Sequence, residues 1–243
     1  MAVLGNQLHN GAMMAHAEGS ILVDPSASGD DKVLHCRGRV LGGGTSQVSR
    51  QMGLVLKPDA RNVLNSSQIG NVINRRFHIY EGGLKQGVAK PKTDEFVELK
   101  LHPRYKDNAE RYTRVVRAMA LRESPVQQQA RIQLLERQLL NPITSSQSAL
   151  RLEAIGNPAI EILRKGLQSS VEEVRFYSAE ALAYLDDRSA AEPLGDLARE
   201  VPAFRAYALT ALSAMDDYAA YEALRELLHT SSAETRYGAF RAL

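Results

Sequence analysis

Residues 174–187 read VRFYSAEALAYLDD, and this segment recurs twice further along the chain. It returns as FRAYALTALSAMDD from Phe204 and as TRYGAFRAL from Thr235. A weaker earlier copy places Leu152 and Ile155 at the positions of the two later leucines. A fixed period of about 30 residues is typical of a stacked array of helical repeats. The second half of the chain is therefore predicted to be such an array.

Each repeat is predicted to consist of two helices. In the first, Phe176, Ala179, Leu182 and Leu185 recur every three residues, as one buried helix face requires. The Asp pair that follows ends this helix and supplies an N-cap for a second helix over about residues 189–200. One helical hairpin cannot cover its own apolar face, so neighbours must stack.

The positions that coincide between copies are predicted to hold one repeat to the next. The alternative is that the repeated Arg and Asp side chains form a ladder that binds a ligand. The coinciding positions are Arg175, Arg205 and Arg236, with Leu182, Leu212 and Leu243, and with Asp186 and Asp216.

The composition excludes several classes of protein. The 243 residues are 44% apolar and 24% charged, an ordinary globular mixture. No uninterrupted apolar run approaches the roughly 20 residues that a membrane helix needs. No secretion signal is visible at the N-terminus. The single cysteine, Cys36, cannot form a disulfide within the chain.

Charge and patterning divide the chain near Glu123–Pro125. Residues 1–123 contain 18 Lys and Arg against 12 Asp and Glu, whereas residues 124–243 contain 12 against 16. This asymmetry fits a basic binding face or two solvated surfaces. We predict an α+β domain at residues 1–123 and an all-α domain at residues 124–243.

The N-terminal prediction rests on alternating and helical patterns. Val97, Leu99 and Leu101 alternate with polar residues, which predicts a strand. A Gly-rich turn is expected at residues 42–44, and a helix is expected to start at Asn108, with Asp107 at capping-box spacing. The other predicted elements are strands at 20–24, 32–40 and 53–57 and a helix at 66–77.

Residues 38–77 resemble the core of the flagellar P-ring protein family. The shared features are Gly38–Arg39 in a strand, the glycines of 42–44, Leu54 and Leu56 in a second strand, and a helix ending in Ile73, Asn74 and Phe77. With weaker matches on both sides, the similarity covers about residues 8–121. The later repeats resemble HEAT-type repeats in their short form.

The P-ring resemblance implies a structural protein with no cofactor and no catalytic activity. Subunits of that family assemble with themselves into a periplasmic ring around the flagellar rod, at the peptidoglycan layer, and contact the L ring. The repeats would then bind a further, unidentified protein. Candidate subunit or rod contacts are Arg39, Arg75, Arg76, Arg104 and Lys106, for which plain solubility is the alternative.

The sequence also departs from the family. The missing signal suggests an N-terminally truncated chain, and periplasmic localisation assumes that signal. The cysteine pair of some members cannot exist here. The helical extension is not part of the usual domain organisation of the family. It would stabilise the ring or bind a partner protein. Alternatively, it would indicate that the module no longer functions in a flagellum. Because the chain ends at Leu243 inside the first helix of a further repeat, we expect a fragment or a covered end.

Signals for an enzyme or a nucleic-acid protein are weak. The six histidines show no metal-binding spacing, and the glycines at 42–44 lack the lysine of a phosphate loop, so a hairpin turn is expected there. Cys36 and His35 would face opposite sides of a strand. Residues 75–117 are basic and contain three tyrosines, but no nucleic-acid motif. The alternative function is a soluble HEAT-repeat scaffold unrelated to motility; an enzyme with its site in the mixed domain is a third option.

Overall fold

The computed structural model describes residues 2–4, 7–9, 13–23, 38–48 and 51–243. The described residues up to Gln51 form one unit together with Ser232–Glu234, and the remainder forms a second. The predicted boundary at residue 123 therefore lies inside the second unit, because residues 52–119 share a core with the helices that follow.

The first unit consists of short antiparallel strand pairs. The pairs are β1 with β2, β3 with β6, and β4 with β5. Gly42 and Gly43 have φ of 90° and 71°, so a turn forms where it was predicted. The expected hairpin is wrong, however, since the flanking strands pair with β4 and β3 instead of with each other. The strands are β1 Ala2–Leu4, β2 Gln7–His9, β3 Ala15–Ala17, β4 Ile21–Val23, β5 Gly38–Val40 and β6 Gly44–Ser46.

The second unit begins with a module of strands and two helices, residues 52–119. Its three-stranded antiparallel sheet has the order β10–β11–β7, and α1 packs against β10 and β11. A separate hairpin, β8–β9, turns over Gly82 and Gly83. The elements are β7 Met52–Val55, α1 Val63–Arg76, β8 His78–Glu81, β9 Leu84–Gly87, β10 Ala89–Pro91, β11 Phe96–Leu99 and α2 Ala109–Arg117.

Alternation and capping explain these elements. Val97 and Leu99 are buried, while Glu98 between them pairs with Lys92 at 2.7 Å on the other face. Helix α2 is capped by Asn108, whose side chain accepts from the backbone N–H of Arg111 at 3.1 Å. The expectation that Asp107 caps this helix is therefore wrong by one residue.

Eight helices follow, arranged in pairs. Helices α4, α6 and α8 contact one another in succession, as do α3 with α5 and α7 with α9. Within the described part of the chain, every helix is too short or too polar to cross a lipid bilayer. The helices are α3 Pro125–Leu139, α4 Pro142–Ile155, α5 Ile160–Leu167, α6 Glu172–Tyr184, α7 Ala191–Glu200, α8 Pro202–Leu212, α9 Tyr218–Leu227 and α10 Ala233–Ala242.

The repeated arginines make the same contact in each copy. Each donates to a backbone carbonyl at the end of the preceding helix or in the turn after it. The bonds are Arg175 to Ser169 at 2.9 Å, Arg205 to Ala198 at 3.2 Å and Arg236 to Thr230 at 2.8 Å. Helix ends leave carbonyls without intrahelical partners, so these arginines tie successive helices together.

The other repeated positions also have structural partners. Leu182 and Leu212 are fully buried, whereas Leu243 is half exposed. The Asp186 carboxylate accepts from the backbone N–H of Asp216, its counterpart in the next copy, at 2.9 Å. Adjacent copies are thus joined directly through this position.

Candidate functional site

The most deeply buried charges of the second unit meet at Arg111. This arginine lies in α2, where its Nη1 donates to Glu180 of α6 at 2.6 Å. Its Nε and Nη2 donate to Glu153 of α4 at 3.0 and 2.5 Å. All three guanidinium nitrogens are therefore bound to carboxylates from two other helices. We call Arg111, Glu153 and Glu180 the Arg111 centre.

Aromatic side chains surround this centre. The Tyr105 hydroxyl donates to Glu153 at 2.7 Å. The Tyr105 ring stacks on Tyr184 with centroids 4.7 Å apart, and the Arg111 guanidinium lies 4.7 Å from the Tyr184 centroid. Asn108 donates to the Tyr184 hydroxyl at 3.0 Å. The centre thus joins the strand–helix module to the paired helices through polar and aromatic contacts.

Burial and pairing set the charges at this centre. Burial works to lower the pKa of Arg111, but Glu153 and Glu180 outweigh it and hold that pKa above its ordinary value. Burial raises the pKa of Glu153, and Arg111 opposes the shift. Burial also raises the pKa of Tyr184 to about 12. Arg111 and the tyrosines therefore do not titrate near neutral pH.

Two of the five predicted contact residues already have bonding partners inside the second unit. Arg104 pairs with Asp186 at 2.7 Å. Arg76 donates to the Glu153 carbonyl at 3.2 Å and lies over the Phe77 ring. Both arginines therefore hold the module to the helices.

The other three predicted contact residues are more accessible. Arg75 is exposed on α1, and Lys106 is exposed in the turn before α2. Arg39 lies in β5 of the first unit, where it pairs with Glu234 at 3.1 Å and keeps its side chain half exposed. These three keep the exposure that a contact with another molecule requires.

An aromatic groove of about 300 Å³ opens beside the Arg111 centre. Phe176 and Phe204 stack in parallel with centroids 4.2 Å apart, and Tyr207 is 59% exposed. Arg111 and Glu180 form part of its lining. We call this surface the aromatic groove, lined by Phe176, Tyr177, Phe204 and Tyr207 with Asn108, Glu110, Arg111, Arg114, Ser146, Ala149, Leu150, Glu180 and Ala203.

A second hollow, shallow and open to solvent, adjoins the groove. It is lined by Arg114, Arg117 and Arg151, with Ala118, Gln147 and Leu150. The two hollows share Arg114 and Leu150, so they form one continuous surface. We call the second hollow the arginine cleft.

The sequence contains one signal for the Arg111 centre, which is the presence of carboxylates on otherwise apolar helix faces. Glu180 lies one helical turn after Phe176 and one turn before Tyr184, on a face that is otherwise buried. Glu153 likewise follows buried Leu152. A carboxylate on an apolar helix face requires a cationic partner. The partner, Arg111, is supplied from 42 residues upstream of Glu153.

Other site chemistry is limited. No group of three potential metal ligands forms among the described residues. The candidate pair His35 and Cys36 lies outside the described residues. No protein-family model matches the chain, and no curated protein matches it.

Proposed function

We propose that this chain is a structural protein of the P-ring type, whose helical extension makes protein contacts. The observation that carries the proposal is the Arg111 centre. Its three guanidinium nitrogens are bound to carboxylates of the helical pairs, so the most buried charges join two parts of the unit. Buried ion pairs of this kind hold the module and the helical pairs in a fixed arrangement. A subunit that acts only through its shape and its contacts with other subunits needs such a fixed arrangement.

The core of the module supports the P-ring part of the proposal. Three positions on which the resemblance rests, Leu56, Ile73 and Phe77, are 7%, 2% and 2% exposed. Residues that two proteins share in a core reflect a shared fold more directly than shared surface residues do. The subunit would assemble with itself in the periplasm around the rod, next to the peptidoglycan layer and the L ring, without a cofactor.

The helical extension is proposed to be an array of short HEAT-type repeats. The approximately 30-residue sequence period coincides with the arginine-to-carbonyl bonds of three successive copies. Arrays of this kind expose extended surfaces that bind proteins. Arg39, Arg75 and Lys106 are the remaining candidates for contacts with other subunits or the rod.

Deletion of the gene in the source bacterium tests the ring proposal. Electron cryotomography of basal bodies should show loss of the ring density, and the wild-type gene should restore it. A gene carrying the paired change Arg75→Glu and Lys106→Glu should restore the density poorly. The matched control Arg137→Glu, on an exposed position of α3, should restore it fully. Unchanged rings in the deletion strain would refute the proposal.

A soluble helical scaffold with no role in motility is the second candidate. The aromatic groove and the arginine cleft favour it, because together they offer a docking surface that a ring subunit does not need. Under this alternative the deletion leaves basal bodies intact, and the chain is recovered from cells in a complex that charge reversal at Arg151 disrupts.

A further inference from the structure

The arginine cleft concentrates positive charge without compensation. Arg114 and Arg117 lie one turn apart on α2, and Arg151 faces the same hollow from α4. All three side chains are exposed, and none has an ion-pair partner among the described residues. No carboxylate is among the described residues that line the cleft. A hollow lined by one sign of charge attracts ligands of the opposite sign.

The adjoining aromatic groove has different chemistry. The stacked Phe176 and Phe204 rings and the exposed Tyr207 ring form an apolar wall. Glu110 and Glu180 are also part of the lining. Glu180 is buried and paired with Arg111, so a ligand that follows the continuous surface passes from a cationic region to an apolar region whose exposed carboxylate is Glu110.

We propose that this surface binds an acidic segment of a partner protein. The carboxylates of the segment lie against Arg114, Arg117 and Arg151, and a Phe or Leu side chain of the segment enters the aromatic groove. Guanidinium groups bind carboxylates in forked pairs, and aromatic walls anchor apolar side chains. The inference rests on the proposed function only in taking the second unit as a protein-binding structure, since the cleft lies between α2 of the module and α4 of the helical extension.

The chemistry of the groove favours a peptide over a nucleic acid. A nucleic-acid strand carries a phosphate at every step and needs a basic track along its whole length. Here the exposed basic residues end at Arg114, because Arg111 and Glu180 are buried and paired with each other at 2.6 Å. The next exposed charge is Glu110, which would repel a following phosphate. A peptide can place its acidic residues in one half only, and a basic residue beyond its apolar anchor would meet the exposed Glu110.

Fluorescence anisotropy with the purified 243-residue chain tests the inference. The probe is a dye-labelled 12-residue peptide with four Asp and Glu residues, a Gly-Ser spacer and a Phe-Leu pair. Arg151→Glu should weaken binding about tenfold, and Arg137→Glu less than about twofold. Tyr207→Ser should weaken binding about fivefold, whereas Tyr218→Ser, at an exposed tyrosine of α9, should not. Raising the salt concentration should weaken binding of the wild-type chain.

Three results would overturn the inference. They are equal binding of a peptide with Lys in place of Asp and Glu, tighter binding of a single-stranded oligonucleotide, and no binding of the probe at millimolar protein. Circular dichroism first shows whether each variant is folded, and only folded variants are compared for peptide binding. Loss of rings on gene deletion without peptide binding would refute this inference alone, and peptide binding with intact rings would refute the ring proposal alone.

Discussion

Arg111 connects the module to the helical pairs through its buried ion pairs with Glu153 and Glu180. Replacing it by methionine keeps much of the side-chain length but leaves Glu153 and Glu180 buried without their cation. Removing one partner of a buried ion pair costs about 3–5 kcal/mol, because the remaining charge is desolvated and unpaired. We expect Arg111→Met to lower the free energy of unfolding by about that amount in a urea titration.

Arg114 provides the matched control, since it lies three residues further along the same helix and is exposed. Arg114→Met should change the free energy of unfolding by less than about 0.5 kcal/mol. The triple variant Arg111→Met, Glu153→Gln and Glu180→Gln should recover part of the loss because it removes both buried charges. A loss below about 1 kcal/mol for Arg111→Met would contradict the assigned role.

Asp187 should make stability depend on pH. Burial works to raise its pKa, but hydrogen bonds from Arg164 and Ser189 outweigh it and hold that pKa below its ordinary value of 3.8. A carboxyl with a depressed pKa stabilises the fold above its unfolded pKa and loses this effect as pH falls through its folded pKa. Asp187→Asn should therefore cost about 1 kcal/mol at pH 7, a modest value because Arg164 is partly exposed, and much less near pH 2.

Asp217 separates the charge effect from the capping effect. It accepts from the backbone N–H of Ala219 at 2.8 Å, as Asp187 does from that of Ser189 at 3.1 Å. Asparagine caps helices about as well as aspartate, so Asp217→Asn should have a small effect at both pH values. Thermal unfolding at pH 7 and pH 2 measures both variants. An equal loss for Asp187→Asn at the two pH values would show that its ion pair with Arg164 contributes nothing.

At the scale of elements, periodicity predicts which face of an element is buried but not what covers that face. The strand pattern at Val97 and Leu99 and the helix pattern at Phe176, Ala179 and Leu182 both correspond to buried residues. Helix limits agree within a few residues, since the segment expected at 66–77 forms α1 from Val63 to Arg76. These features depend on neighbours close in sequence.

Features that depend on distant residues were not predictable from local patterns. The pairing of β3 with β6 brings together residues about 30 positions apart, and no local pattern selects that partner over an adjacent strand. Arg104 is among the candidate contacts with other subunits or the rod, but its guanidinium pairs with Asp186, which lies 82 residues later in the chain. The candidate site consists almost entirely of such long-range contacts, which is why sequence patterns predicted the fold better than the site.

Two helical glycines should respond in opposite directions to alanine. At Gly166 of α5 an added Cβ would lie 2.0 Å from the Ser178 hydroxyl and 2.9 Å from its Cβ, so helices α5 and α6 would be pushed apart. At Gly195 of α7 the nearest atom, the Cβ of Ala223, would be 3.5 Å away, which is ordinary contact.

We therefore expect Gly166→Ala to destabilise the protein by about 1–3 kcal/mol through overpacking. Gly195→Ala should stabilise it by up to about 1 kcal/mol, since alanine favours the helix more than glycine does. Urea unfolding of the two variants, each compared with the unmodified chain, measures both effects. No loss of stability for Gly166→Ala would show that the close approach of α5 and α6 is not a packing constraint.

At the scale of the whole second unit, one apolar core runs through both of its parts. It includes Leu56, Val97 and Val115 of the module and continues to Leu182 and Leu212 of the helical pairs. Two parts that share a core and a buried ion-pair cluster unfold together as long as the coupling between them exceeds the difference between their own stabilities. The module contributes a small sheet and two helices, too little apolar area to fold well alone.

This continuity predicts a single cooperative unfolding unit, which hydrogen exchange followed by mass spectrometry can test. With increasing urea below the main transition, peptides containing Val97 and peptides containing Leu182 should lose protection with the same free energy and the same denaturant dependence. In Arg111→Met the module peptides should open at lower urea than the helical peptides, because the join is weakened while the helical contacts remain. Separate opening in the unmodified chain would contradict the shared core, and coincident opening in Arg111→Met would show that apolar contacts alone couple the two parts.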